Sequence, residues 1–236
     1  MKIPAKPLSA VVTVALLIAG LAACSSGGVG GHESDGNKPG VSSPVLPNLN
    51  LAELLPSKDD VADRLGSKWS MNTEPSSAPV PADAKAHTSS DLPDASTIGQ
   101  ECYDAQFALL DVSNNTIEFA LETFYDGDGN LSGWQILRAK SADAAKAQFD
   151  AFKTGAITCA KTASLYPEAL LSIVGTSQVD GAFAYELPHL SDDYDRVVTS
   201  LHGDLILYTS SRTSNLTADQ MMQLQLDKIA GLEKKG

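Results

Sequence analysis

Two short polar turns constrain this chain more than anything else in it. Thr116 to Phe124 alternates, with Ile117, Phe119 and Leu121 on one side and Glu118, Ala120 and Glu122 on the other. That is the pattern of a half-buried strand. Asp126-Gly127-Asp128-Gly129-Asn130 follows, and Ser132 to Ala139 forms a second strand-like run around Trp134, Ile136 and Leu137. A cluster of Asp, Gly and Asn between two such runs folds the chain back on itself, so the pair is a hairpin. Further strand signals lie at Leu170–Val174, Ala182–Leu187, Asp195–Leu201 and Asp204–Ser210, the last two joined by a tight turn at His202-Gly203. Hairpin connections imply an antiparallel sheet, here of about six strands.

Helical signals bracket these runs. Ser57 can cap a short helix, with Asp60 three residues on as the carboxylate of a capping box. Val61 and Leu65 share one face, and Gly66 stops it. From Ser141 to about Lys161, Ala145, Phe149, Phe152, Ala156 and Cys159 recur at steps of four and three, one continuous apolar face. Ser141 caps this helix and Asp143 sits in its first turn. Gly155 weakens it for no reason visible in the sequence. A last helix opens at Thr217 with Gln220, stapled by Leu216 and Met221, and Met221, Met222, Leu226, Ile229 and Leu232 form its inner arc. Helices on an antiparallel sheet define an α+β domain. Residues 72–97 are rich in Pro, Ser and Ala and read as a long loop or linker.

The N-terminus assigns the compartment. Lys2 and Lys6 precede an uncharged apolar stretch from Leu8 to Gly20, followed by Leu21-Ala22-Ala23-Cys24. Residues 1–23 therefore read as a secretion signal, too short in its apolar part to span a bilayer. Leu21 to Cys24 has the form of a bacterial lipobox, in which the Cys24 thiol takes a diacylglyceryl group and becomes the mature N-terminus. Residues 24–50 then read as the lipidated Cys and a flexible tether, since fourteen of the twenty-five residues from Ser25 to Leu49 are Gly, Ser or Pro. The folded domain is expected over 51–236, placed on the extracytoplasmic face of the membrane.

With Cys24 set aside, Cys102 and Cys159 remain as an even pair in an oxidising compartment, which reads as one disulfide. A metal site is the weaker reading, because no histidine neighbours either thiol, and no C-x-x-C marks a redox pair. A net charge of −12 excludes the basic surface that nucleic acid requires.

The chain also resembles a known family. Leu54-Leu55-Pro56-Ser57 with Asp60-Val61 and Leu65-Gly66, then Cys102, Arg138-Ala139-Lys140-Ser141-Ala142-Asp143-Ala144-Ala145 and Cys159, are similar to the PknH-like extracellular sensor domain. Actinobacterial membrane kinases carry that domain, and lipoproteins of the same bacteria carry a free version. The resemblance covers roughly residues 51–236. It implies an α+β domain with a central cleft for an extracytoplasmic ligand, and no catalysis. This chain departs from the kinase pattern in having one candidate disulfide rather than two, and Gly155-Ala156-Ile157-Thr158 where a Trp precedes the second Cys.

Other candidate chemistry is thin. Asp126, Asp128, Asn130 and Ser132 imitate the odd positions of a calcium loop, but Leu131 and Leu137 stand where its Gly and Glu belong, so a hairpin turn is expected. Asp192, Asp193 and Asp195 form an acidic cluster, read as a solvated loop. His32, His87, His189 and His202 have no triad-like or metal-ligand spacing. Met221 and Met222 read as core. The chain is thus expected to be a lipid-anchored binding or sensing module without cofactor, metal or enzymatic activity, its partners the membrane and a small apolar ligand. The alternative is an interaction or structural lipoprotein of the cell envelope whose partner is a protein.

Overall fold

The computed structural model describes Leu46 and residues 49–80, 94–113, 115–162, 173–188, 194–212 and 215–235. The signal segment 1–23, Cys24, most of the tether, His32, His87, His189, Asp192 and Asp193 lie outside the described residues.

The chain is an α+β domain. In order it forms α1 (Leu51–Leu54), α2 (Lys58–Leu65), β1 (Ser70–Pro79), α3 (Ala95–Ile98), α4 (Gln100–Ser113), β2 (Thr116–Tyr125), β3 (Leu131–Ala139) and α5 (Ala142–Thr162). Then come β4 (Ile173–Gly175), β5 (Phe183–Pro188), β6 (Tyr194–His202), β7 (Leu205–Ser211) and α6 (Asn215–Glu233). The strands make one seven-stranded sheet in the order β1-β2-β3-β7-β6-β5-β4. All its pairings are antiparallel. Two halves, β1-β2-β3 and β4-β5-β6-β7, meet in the middle, where β3 runs against β7 with Trp134 opposite Thr209 and Ile136 opposite Leu207.

Both hairpins form as their turns dictate. Gly129 (φ 82°) and Gly203 (φ 59°) supply the left-handed backbone. The β6–β7 loop is Gly203-Asp204, closed by the pairing of His202 with Leu205. Ser57 accepts from the Asp60 amide while its own amide donates to the Asp60 carboxylate, so the expected capping box is complete. Gly66 ends that helix. Ser141 Oγ accepts from the Ala144 amide at the start of α5.

Helices cover both faces of the sheet. On one, Leu51, Leu54, Val61, Met221, Met222 and Ile229 from α1, α2 and α6 pack on Ala120, Phe124, Trp134, Ile136, Val198, Leu205 and Leu207. On the other, Ala145, Phe149, Phe152 and Ala156 of α5 pack on Phe183, Tyr185, Val197, Ile206 and Tyr208. The apolar face expected for α5 is therefore the face it buries. The expected disulfide joins Cys102 of α4 to Cys159 of α5, Cα atoms 4.6 Å apart and both residues fully buried beside Ile98. The segment that carries Cys102 is itself a helix, which the sequence reading did not include.

Three expectations are corrected. The first is the linker over 72–97: Ser70–Pro79 is the edge strand β1, and Ala95–Ile98 is the helix α3. The polar β1 is held by pairing to β2 and by side chains, with Asn72 Nδ2 donating to Thr123 Oγ1 at 3.0 Å and the Thr73 and Thr123 hydroxyls 2.9 Å apart. The second is the domain start: Leu46 and Leu49 already pack against the core, and Asn50 caps α1. The third is the last helix, which opens at Asn215, so Thr217 stands inside its first turn rather than at its cap.

Nothing in the packing requires Gly155 to be glycine. A Cβ there would lie 3.7 Å from the Ala105 carbonyl oxygen of α4, ordinary contact. Gly155→Ala should therefore stabilise the domain by about 0.5–1 kcal/mol through helix propensity, read as a rise in the denaturant midpoint. Replacing both Cys102 and Cys159 by Ser should cost about 2–4 kcal/mol, measured by the same unfolding curves against the oxidised protein.

Candidate functional site

The half-buried strand β2 keeps its period of two, but the face inward to the larger core is the one that carries the glutamates. Ala120, Glu122 and Phe124 are buried, whereas Ile117 on the opposite face is 48% exposed and Phe119 and Leu121 are half-buried. The ordinary rule would turn the apolar row inward. Two facts reverse it. Phe124 shares its parity with Glu122 and packs edge-on against Trp134, centroids 5.4 Å apart. That face of β2 is also the one that α1 and α6 cover.

Glu122 is consequently placed at the base of the layer between the sheet and α1, α2 and α6, directly across from Trp134 in register. It is fully buried, and neither carboxylate oxygen has a hydrogen-bond partner. A buried carboxylate without partners favours its neutral form. Burial, reinforced by the negative charges of Glu74 and Asp60 and opposed by Lys228, raises its pKa to about 8. Nearby, Gln225 Nε2 donates to the Leu54 carbonyl while Gln225 Oε1 is buried without a partner. Trp134 Nε1 donates to the Met221 carbonyl at 3.0 Å, one helical turn before Gln225.

The rim above Glu122 is ionic. Lys228 Nζ lies 3.1 Å from Asp60 Oδ2 and joins α6 to α2. Burial acts to raise the Asp60 pKa, but the Ser57 amide and hydroxyl and Lys228 together outweigh it and hold the carboxyl below its usual value. Arg64 and Asp227, 2.9 Å apart and both half-exposed, make a second tie between the same helices.

Elsewhere the buried charges are partnered. Arg138 holds Glu118 at 2.9 Å and Asp204 at 3.6 Å. Arg196 donates to the Thr176 carbonyl at 2.6 Å and lies 3.5 Å from Asp219. A Cβ on Gly175 would come within 2.8 Å of the same guanidinium, so that position admits only glycine without a shift. These groups fix the sheet edge and α6.

The sequence candidates are distributed as follows. Asp126 spends its carboxylate on its own turn: Oδ1 accepts from the amides of Asp128 and Asn130, each at 2.8 Å, and Oδ2 from Asn130 Nδ2 at 3.0 Å. The expected hairpin turn is what forms there, and among the described residues no group of His, Cys, Asp and Glu has the arrangement of a metal site. Asp195 is buried and bonds to Arg212 Nε at 3.1 Å. His202 Nε2 meets Glu233 at 3.0 Å on the surface. Met221 and Met222 are core, as expected. Glu122, Gln225 and Lys228 were not singled out by the sequence reading. The only signal was Phe124, which extends the glutamate row into an aromatic.

No family model and no curated protein matches the chain. Among solved structures, the extracellular domain of PknH from Mycobacterium tuberculosis is similar at a TM-score of 0.44 and 13% identity, over 82% of this chain and 99% of that one. No helix among the described residues is long and apolar enough to cross a membrane.

The titration of Glu122 has a definite sign. Its folded pKa of about 8 lies above the model-peptide value of 4.5. Between those values the folded state binds a proton that the unfolded state does not, so this contribution is complete below the lower value. It then falls by up to about 1.4 kcal/mol per pH unit and is lost as pH rises through the upper one. Glu122→Gln, which mimics the neutral acid, should gain stability relative to the parent protein as pH rises from about 5 to about 8. Equal stability differences at both ends, by chemical denaturation, would show that Glu122 is ionised throughout.

Proposed function

We propose that this chain is an extracytoplasmic binding or sensing module, anchored by lipid on Cys24, that takes a small apolar ligand and catalyses no reaction. The observation that carries the binding reading is the outer row of β2. Phe119, Leu121, Thr123 and Tyr125 alternate along one face of β2, and Ile117 stands at the irregular start of the strand; Ile117 is 48% and Tyr125 40% exposed, and Phe119 and Leu121 are half-buried. Ile117 and Tyr125 are the exposed large apolar side chains among the described residues, and exposed apolar surface grouped on one element is characteristic of a binding face. The disulfide inside the α4–α5 layer supports export to an oxidising compartment, in keeping with the leader and Cys24. Fixed on β2, which is paired on both sides, the row is held on a rigid platform, which limits the ordering cost of binding.

The same row also suits the second reading, a protein partner in the envelope, because it lies one strand in from the sheet edge and is exposed at both its ends. Native mass spectrometry of the protein purified from its own host separates the two. A co-purified small molecule that is lost in Ile117→Asp supports the ligand reading. A bare protein that captures an envelope protein through the same residues supports the partner reading. The anchor is tested separately: Cys24→Ala should abolish lipid labelling and leave the protein unprocessed or released, whereas normal processing and detergent partitioning would refute it.

A further inference from the structure

The layer over Glu122 holds a charge imbalance. Three carboxyl groups from three elements act on one another there: Glu122 of β2, Glu74 of β1 and Asp60 of α2. The cation among them is Lys228 of α6, which is held by Asp60 at 3.1 Å. Asp60 is partly exposed and keeps two bonds from Ser57 besides, so it tolerates the loss of a lysine. Glu122 is fully buried with both oxygens unpartnered, so as an anion it has no comparable support. Lysine is a long, flexible point charge, and the charge of Lys228 acts on Glu122 as well as on Asp60.

The element that depends on that lysine is weakly secured. α2 is eight residues long, with Val61 buried and Leu65 partly buried against the core. Beyond those two side chains, α2 is joined to α6 by the Asp60–Lys228 pair and by Arg64–Asp227, a half-exposed pair of the kind that contributes little. Short helices with few buried contacts open at free energies well below that of global unfolding.

We propose that Glu122, Lys228 and Asp60 form a proton-operated latch, in which neutral Glu122 leaves Lys228 to tie α2 to α6, and ionised Glu122 draws Lys228 inward and releases α2. The proton passes between the Glu122 carboxyl and water, and no covalent bond changes. Glu74 and Asp60 both repel the ionised form and Lys228 alone attracts it, so the lysine is the group that must move. The latch rests on this geometry and is independent of the lipid anchor and of any ligand on the outer row of β2.

The test is hydrogen exchange of the full chain by mass spectrometry from about pH 6 to about pH 9, corrected for intrinsic exchange. In the parent protein, protection of the α2 peptide relative to β7 should fall about tenfold or more across that range. In Glu122→Gln it should stay constant. In Lys228→Met it should be low at every pH, because the tie is absent. A parallel carbon-13 titration of the parent protein's carboxyl groups needs no variant and should place Glu122 far above ordinary glutamates. Constant α2 protection in the parent protein, the same fall in Glu122→Gln or in Lys228→Met, or an ordinary titration of Glu122 would each overturn the latch.

Discussion

The antiparallel contact between β3 and β7 is the junction on which the remainder of the domain depends. β2-β3 and β4-β5-β6-β7 are built from hairpin pairings of successive strands, β1 joins β2 across α3 and α4, and neither half of the sheet can bury its helices alone. Their union brings Trp134, Ile136, Leu205 and Leu207 into one apolar floor for α6, and Ile206 and Tyr208 into the opposite floor for α5. The bond from Trp134 Nε1 to the Met221 carbonyl then fixes α6 along that floor with an indole that could not otherwise be buried without cost.

The two faces are secured by different physics. α5 is attached by a broad aromatic layer, in which Phe152 meets Tyr185 and Tyr208 edge-on at 5.1 and 5.7 Å, and by the disulfide to α4. α2 on the opposite face relies on Val61, a partly buried Leu65 and two ion pairs. The buried arginines show that this fold can satisfy interior charge where it needs to, since Arg138 and Arg196 each reach two or more acceptors. Against that background Glu122 stands out, and a group that costs stability invites a role that requires it to respond.

Much of the architecture was legible in local sequence patterns. The period of α5, the two hairpin turns, the Ser57 capping box and the pairing of Cys102 with Cys159 are all decided by neighbours within a few residues or by counting, and all appear in the fold. β1 was not legible, because Ser70–Pro79 carries no alternation and two prolines, and its strand form comes from pairing with β2. Nor was α4, although Gln100–Ser113 contains neither Gly nor Pro. The orientation of β2 was the most consequential difference. Alternation gives two faces but does not say which face a distant helix will cover, and α6 lies about a hundred residues further along the chain. The candidate site at Glu122 is a product of that long-range choice, so no local reading could place it.

The borders of the sheet decide whether a second copy can extend it. A sheet that ends in a long regular strand offers unpaired amides and carbonyls to any neighbour. Here one border is the three-residue β4. The other, β1, is irregular between Met71 and Ser76 and carries Pro75 and Pro79, which have no amide hydrogen to donate. The features that hid β1 from sequence reading are those that make it a poor template for a second copy. The sheet can thus remain solitary without closing into a barrel.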